Sequence, residues 1–204
     1  DLTRDARVSV GNARTATAEG GVVRPVSDGR TVLHVEASGA RATVPVVVVG
    51  SAADEPVSFA REVEPVLTKA GCNGGGCPGA QHGRGGFKLS LFGFDPAFDH
   101  LQIVQSNEGR RVVPSNPEQS ILLAKPALVM EHGGGEKLRH NGREYLTIRQ
   151  WLEDGVPAPN AKTDPTVTRL EVFPPKRLMV PGEQQQLSIT AIWSDGRRED
   201  VTDR

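Results

Sequence analysis

The chain is poor in aromatic residues, and neither sign of charge predominates. Aromatic residues make up 4% of the 204 positions, and 24 basic residues nearly balance 25 acidic ones. A protein that binds the phosphate backbone of nucleic acid ordinarily carries a clear excess of positive charge. The composition therefore predicts no nucleic-acid partner.

Long apolar runs are also missing. The longest, residues 44–49, is broken by Pro45 and has the length of a strand. A membrane-spanning helix needs about 18 or more apolar residues in succession, so the sequence predicts no membrane span in this segment. No Gly-Lys-Ser or Gly-Lys-Thr follows a glycine-rich stretch. The loop that cradles nucleotide phosphates is therefore not expected either.

Cysteine is scarce as well. The only two, Cys72 and Cys77, lie five positions apart in a glycine-rich loop. Two thiols at this spacing indicate either a local cross-link or the attachment of a cofactor. A structural zinc ion would need two further thiolate or imidazole ligands. A disulfide bond is the simplest alternative, because a small glycine-rich loop can satisfy its geometry.

Turn-rich β-structure is predicted at both ends of the chain, which contains 23 glycines and 15 prolines. Apolar residues alternate with polar ones in short runs, as is typical of strands with one buried face. The runs are residues 7–10, 22–25, 31–37, 40–49, 167–173, 187–193 and 198–201. We expect residues 1–50 to form the second half of one β-domain and residues 166–204 the first half of another.

Helices are predicted between the two β-regions. Ser58 is a suitable N-cap for a helix that extends to Lys69, and Pro65 is expected either to kink this helix or to begin a second one. Residues 144–154 predict another helix that ends at Gly155. Its apolar stripe consists of Tyr145, Ile148, Trp151 and Leu152.

The middle of the chain resembles a class I cytochrome c in the order of its segments. The motifs that carry the resemblance are Gly71-Cys72-Asn73-Gly74-Gly75-Gly76-Cys77, Gly85-Gly86-Phe87-Lys88-Leu89-Ser90-Leu91, Gly109-Arg110-Arg111-Val112, Asn116-Pro117-Glu118-Gln119-Ser120, His132-Gly133-Gly134-Gly135 and residues 151–157. They are similar to motifs of the planctomycete-type cytochrome c domains of large secreted proteins. This match covers about half of the chain.

Both β-regions resemble the bacterial immunoglobulin-like (group 2) repeat of cell-surface proteins, and they cover complementary parts of it. The matching segments are residues 167–172, 191–196 and 200–202 on one side and residues 1–3, 16–18 and 21–23 on the other. The resemblances imply immunoglobulin-like β-sandwich halves at both ends around a small, mainly helical cytochrome c-like domain, residues 54–160. They also imply a periplasmic or extracellular location, in a longer protein whose other domains or copies complete the β-halves.

The cytochrome resemblance implies roles for particular residues. In that family the two cysteines form thioethers to haem c, and the histidine directly after the second cysteine ligates the iron. Pro78 stands at that position here and has no lone pair for iron, so His82 is the candidate substitute. The family's other ligand lies in the loop before the closing helix. His132 matches it best, and Met130 is the fallback.

Two functions follow from these expectations. The first is a haem c electron-transfer module of a secreted or cell-surface protein that serves a redox partner protein. The alternative is a haem-free structural or adhesive module with a Cys72–Cys77 disulfide, whose complementary β-halves allow head-to-tail assembly. An iron with one empty axial position would instead permit haem-based catalysis or sensing.

A hydrolase is not expected. Asp95, Asp99 and His100 are close in sequence, but no nucleophile with an activating base stands near them. Acidic residues beside a proline are more often turn formers, and His100 is expected to be structural or solvated. The chain is therefore predicted to be an electron carrier or a structural module rather than an enzyme.

Overall fold

Strands at both ends of the chain and short helices between them give a mixed α and β fold in this computed structural model. The structure describes Thr3 and residues 5–20, 22–52 and 55–203. They fall into two units, the first within Asp1–Glu55 and Glu171–Ile189 and the second within Pro56–Leu170 and Thr190–Arg204. From residue 56 onward, the segment predicted to be cytochrome-like lies in the second unit.

The N-terminal strands form two antiparallel sheets. Strands β1 (Arg7–Val10), β4 (Gly29–Ala37) and β5 (Ala40–Val48) make a sheet in the order β1-β4-β5, and β2 (Ala16–Glu19) pairs with β3 (Val22–Pro25). The four strands predicted here are confirmed to within two residues at their ends, whereas β2 was not predicted as a strand. Val44 and Val47 of β5 are 46% and 56% exposed, so the sheet keeps apolar surface in contact with water.

A tight turn determines the register of β4 against β5. Ser38 and Gly39 have φ angles of 48° and 80°, and Ala37 lies opposite Ala40. Positive φ at both central residues is characteristic of the two-residue turns that match the twist of a hairpin. The predicted Ser-Gly turn is thereby confirmed.

A third antiparallel sheet comes from the C-terminal strands β6 (Val167–Phe173), β7 (Ser188–Trp193) and β8 (Arg198–Asp200), in the order β6-β7-β8. The predicted turn at Asp195 and Gly196 joins β7 to β8. Trp193 N donates to Arg197 O at 2.9 Å, and Gly196 has a φ of 85°.

The first helical segment begins at its predicted cap. Ser58 Oγ accepts from Arg61 N at 3.3 Å, and Ser58 N donates to Glu62 Oε2 at 2.9 Å, which is the reciprocal arrangement of a capping box. One π-helical turn, Phe59–Val63, then leads into α1 (Glu64–Lys69). Pro65 lies in the first turn of α1, at the point where the π-helical turn changes to α-helix without a break in the helical backbone.

Three further α-helices complete the middle of the chain. They are α2 (Pro96–Val104), α3 (Ile121–Ala124) and α4 (Arg143–Glu153). The prediction of α4 is confirmed, and Gly155 ends it with a φ of 84°. The sequence pattern did not predict helix α2, because acidic residues beside a proline are typical of turns. No helix in the described residues is long and apolar enough to cross a membrane.

One cluster of buried side chains joins these helices. Its members are Phe59, Val63, Leu67, Leu89, Ile103, Leu122, Leu123, Ala127, Leu138, Tyr145, Ile148, Trp151 and Leu152. Fully buried Trp151 has its ring centroid 5.4 Å from that of Phe59 and 5.9 Å from that of His100. His100 Nε2 is 2.9 Å from Val156 O, which confirms a structural role for this histidine.

The cap of α2 gives a test of the missed helix. Asp95 Oδ1 accepts from Phe98 N at 3.0 Å, so Asp95→Ala leaves a donor of the first turn without its acceptor. We expect the free energy of unfolding to fall by about 1 kcal/mol, as is usual for loss of an N-cap. Denaturant unfolding of the full chain measures this. Asp95→Asn retains an acceptor oxygen and should lose clearly less, and equal stability of all three proteins would contradict the assigned cap.

Candidate functional site

A cavity of about 340 Å³ lies in the second unit, beside the buried cluster. This volume is within the roughly 300–1,000 Å³ of typical small-molecule and cofactor sites. Apolar side chains on its wall include Leu67, Phe87, Leu89, Ile121 and Leu122. Cationic side chains on its wall are Arg84, Arg110, Arg111, Lys125 and Lys137, and no carboxylate is found among the described residues that line it. The cavity therefore suits a ligand with an apolar body and negatively charged groups.

Both cysteines lie on this wall. Cys72 comes after Ala70 and Gly71 at the end of α1, and its N–H donates to Leu67 O at 2.9 Å. Cys77 N donates to Gly74 O at 3.0 Å, which closes a turn between the two thiols. The sulfurs are free thiols and are not joined to each other. The spacing of the cysteines thus brings two thiols to one cavity.

Asn73, between the cysteines, fastens their loop to α1. Its side chain is fully buried, and Nδ2 donates to Glu64 Oε1 at 3.0 Å and to Thr68 Oγ1 at 2.8 Å. Gly79 passes so close that a Cβ on it would lie 1.9 Å from Asn73 O. No side chain is accommodated at position 79 without movement of the loop. No local sequence pattern indicates a role for Asn73, because its burial depends on the neighbouring elements.

The carboxyl group that receives Asn73 is itself unusual. Glu64 is 5% exposed, and the fully buried carboxyl of Asp99 is its neighbour. Burial, reinforced by the charge of Asp99 and a hydrogen bond with it, raises the pKa of Glu64 to about 7. Asp99 accepts from both N and Oγ of Ser90, at 2.5 and 2.6 Å. Glu64 therefore retains its proton up to near-neutral pH.

The thiol of Cys72 is also protonated at near-neutral pH. Burial raises its pKa to about 11, and the charge of Cys77 nearby acts in the same direction, whereas Lys137 opposes the shift. A thiol with a raised pKa is a poor nucleophile toward disulfides and other electrophiles. Cys72 is consequently protected from ordinary thiolate chemistry.

His132 is held with one ring nitrogen available. It lines the cavity, and its Nδ1 is 2.8 Å from Gly135 O. A carbonyl oxygen can only accept, so Nδ1 donates, and in the neutral ring the lone pair is therefore on Nε2. Gly134 lies against the ring, since a Cβ there would be 2.9 Å from His132 Cε1. A histidine with one nitrogen bonded to a backbone carbonyl is in the usual state of a metal ligand.

The other expected ligands are not part of this wall. His82 is exposed, and the turn that follows it is closed by two backbone hydrogen bonds between Arg84 and Phe87. Met130 is 42% exposed, and its N–H donates to Ala124 O at 3.1 Å. Pro78 does line the cavity. Of the five residues that the sequence singled out, the structure brings together the two cysteines and His132.

The basic side chains were not foreseen as site residues. Arg111 is 5% exposed, and its guanidinium lies 4.3 Å from the centre of the Phe87 ring. It donates to the carbonyl oxygens of Gln102, Ser106 and Gly86 at 2.9 to 3.0 Å. Arg111 therefore links three backbone segments of the wall and also contributes a positive charge to it. Burial lowers the pKa of Arg111. The paired arginines of the motif were visible in the sequence, but nothing there located them at a cavity.

The residues present fit a haem better than a metal ion bound by side chains alone. Within the described ranges, no three His, Cys, Asp or Glu side chains converge on a point where a metal ion could be held. A haem iron receives four ligands from the porphyrin, so one or two side chains are enough. Two thiols, an oriented imidazole, an apolar wall and a basic rim meet these needs, and Pro78 is the one position that departs from them.

Comparison with known proteins adds no relative. No protein-family model matches this chain, and neither does any curated protein or solved structure. What the cavity binds therefore has to follow from its own residues.

The buried carboxyl pair predicts an unusual dependence of stability on pH. Folding raises the pKa of Glu64 from 4.5 to about 7. Below pH 4.5 the group is protonated in both states, so its raised pKa does not lower the free energy of unfolding there. Between those pH values the unfolded chain releases a proton that the folded chain retains, so stability falls by about 3 kcal/mol. Glu64→Gln cannot titrate but still offers Asn73 an amide oxygen. We expect this variant to unfold like the wild type near pH 4.5 and to be more stable above pH 7.

Glu144→Gln is the matched control, for which we expect the opposite change in stability with pH. The hydrogen bond from Lys69 lowers the pKa of Glu144, so this carboxylate stabilises the fold at neutral pH and loses that effect as the pH falls. Glu144→Gln should therefore be less stable than the wild type at pH 7. Urea unfolding across this pH range measures both variants. If the Glu64→Gln advantage did not grow with pH, the assigned proton on the buried pair would be wrong.

Proposed function

We propose that the cavity binds haem c through thioether bonds from Cys72 and Cys77, with His132 as an iron ligand, and that the helical unit is an electron-transfer module. The observation that supports this most strongly is the convergence of both thiols and an imidazole of fixed tautomer on one apolar cavity with a basic rim. An apolar pocket with a few converging polar groups is the usual form of a cofactor site.

Covalent attachment of haem would use both cysteines as free thiols. Each S–H would add across one vinyl group, with the sulfur bonded to one vinyl carbon and the hydrogen to the other, so that no oxidant or reductant is needed. Both thiols remain free of each other, which this addition requires. Burial keeps Cys72 protonated, with its pKa raised to about 11, and so limits competing thiolate reactions. When bound, the haem supplies a one-electron Fe(III)/Fe(II) couple.

The basic side chains would hold the anionic edge of the group. Lys125 and Lys137 are exposed members of the cavity wall, and Arg84 and Arg110 lie on it too. Haem carries two propionates, and carboxylates beside lysine and arginine gain charge-assisted hydrogen bonds. The apolar side chains meanwhile keep water from the faces of the macrocycle. This combination of charges and apolar surface favours haem over a cationic or an uncharged cofactor.

The flanking sheets are proposed to be parts of immunoglobulin-like repeats that connect this module to its parent protein. In support, both regions form antiparallel sheets of short strands joined by tight turns. Each also leaves apolar side chains exposed, such as Val47 in β5 and Leu170 in β6, which further β-structure would cover. A location at the cell surface or in the periplasm accords with haem c attachment and with such repeats.

A haem-free structural or adhesive module closed by a Cys72–Cys77 disulfide is the second candidate. Pro78 favours it, because the family's proximal ligand is missing, and so does the proximity of the two thiols, by which Cys77 raises the pKa of Cys72. A spacer domain, however, is expected to have a close-packed interior rather than an apolar cavity of about 340 Å³. The cavity therefore makes the haem protein the first candidate.

Titration of the reduced, purified chain with haemin tests the cofactor directly. We expect a change in the Soret band of haemin that saturates at one haem per chain, because the apolar wall and the basic rim are already formed. When the chain is produced with a cytochrome c maturation system, the haem should stay attached after denaturation, and mass analysis should show the added haem. His82→Ala serves as a control, since His82 is exposed and away from the wall.

The cysteines separate covalent attachment from simple binding. A Cys72→Ala/Cys77→Ala double variant should still bind haemin in the cavity but should lose it on denaturation. A wild-type chain with free thiols that causes no saturable change in the Soret band of added haemin would refute the proposal. Loss of two hydrogens from the peptide that contains both cysteines, with no haem found, would establish the disulfide-closed module instead.

A further inference from the structure

The cavity offers iron only one strong side-chain ligand. Among the described residues that line it, His132 alone has an available nitrogen lone pair, on Nε2. Lysine and arginine side chains are protonated at neutral pH and have no lone pair to donate. The two cysteine sulfurs are committed to the thioethers under the proposed function. An iron held here would thus have one axial position that no side chain of the wall fills.

The neighbouring loop is held where it cannot readily supply the second ligand. Pro78 O accepts from Leu89 N at 2.9 Å, which fastens the residue after Cys77 to the next segment of the wall. Consecutive turns follow, with Ala80 N on Cys77 O at 2.9 Å and Gly83 N on Ala80 O at 2.8 Å. His82 lies within these turns and is exposed. Bringing it to the cavity would require the turns to open.

The charge of the wall indicates which external ligand would enter. Five cationic side chains line the cavity, and no described residue of the lining carries a carboxylate. Two haem propionates would leave this positive charge in excess. A concave site with walls of one charge attracts small ions of the opposite sign. Small anions are therefore favoured over neutral ligands of the same size.

We propose, on the basis of the haem site above, that this module is five-coordinate through His132 and binds a small anion at the open iron position. Such a module would bind or sense an exogenous ligand, whereas a carrier with two side-chain ligands would only transfer electrons. Azide is the anionic probe of the ferric protein, and carbon monoxide is the neutral probe of the ferrous protein.

Absorption spectroscopy of the haem-loaded full chain tests this. We expect a high-spin ferric spectrum that azide converts, saturably, to a new Soret position, and a ferrous spectrum that carbon monoxide shifts. Pro78→His supplies the missing ligand, so its spectrum should become low-spin before any addition. Its azide affinity should fall about tenfold or more, because the competent state is then a minor population. His82→Ala and Met130→Leu should both behave as the wild type does.

Two lysines test the choice of an anion. Lys125→Gln combined with Lys137→Gln removes two positive charges from exposed parts of the wall, so azide affinity should fall by about threefold to tenfold. Because these lysines also lie where the haem propionates would be held, both affinities are compared at equal haem content, and carbon monoxide affinity should fall clearly less, because that ligand is neutral. Equal loss of both affinities, or no loss of either, would overturn the assignment of an anionic ligand.

The failures of the two proposals are distinct. A chain that takes up haem but is low-spin, and ignores azide and carbon monoxide, would overturn the open position and leave the electron-transfer module standing. A shift to high spin in His82→Ala or Met130→Leu would identify the second ligand that we exclude. A chain that takes up no haem would overturn the haem site, and this inference with it.

Discussion

The candidate site depends on the hydrogen bonds that the side chain of Asn73 makes to α1. Its fully buried amide donates to Glu64 and Thr68, so the loop that carries both thiols is fixed to the helix that precedes it. Seven-residue loops rich in glycine have little conformational preference of their own. Without such a bond the two sulfurs would lie at variable distances. The close passage of Gly79 over Asn73 O fixes the exit of the same loop.

The charges of the second unit are divided between two places. The carboxyl groups of Glu64 and Asp99 are buried behind the cysteine loop, where burial raises the pKa of Glu64 and Ser90 donates two hydrogen bonds to Asp99. The cationic side chains lie on the cavity, where Arg111 is secured by three backbone carbonyls. A nearly neutral chain can therefore present a strongly positive pocket. The net charge of the chain does not reveal this pocket, because it adds together the charges of side chains that the fold separates.

Local patterns predicted the elements whose cause is local. Helix α4 has an apolar stripe and a terminal glycine, and the β4–β5 hairpin has a Ser-Gly turn between alternating residues. Helix α2 was missed because an aspartate before a proline is common both in turns and at helix N-termini, and its remaining signal is a short apolar stripe. The candidate site followed in part, since the two cysteines and His132 line one cavity, whereas His82 and Met130 do not.

By itself the sequence determined the strands at both ends other than β2, the closing helix and the residue types available for chemistry: two thiols, few histidines and a proline after Cys77. These depend on side-chain periodicity and covalent structure, which are properties of neighbouring positions. Only the tertiary structure decided that Arg111 and Lys137 share a wall with the thiols, that Asn73 is buried, and that His132 faces the cavity while His82 does not. These facts join positions far apart in the chain, and packing of the helices brings such positions together.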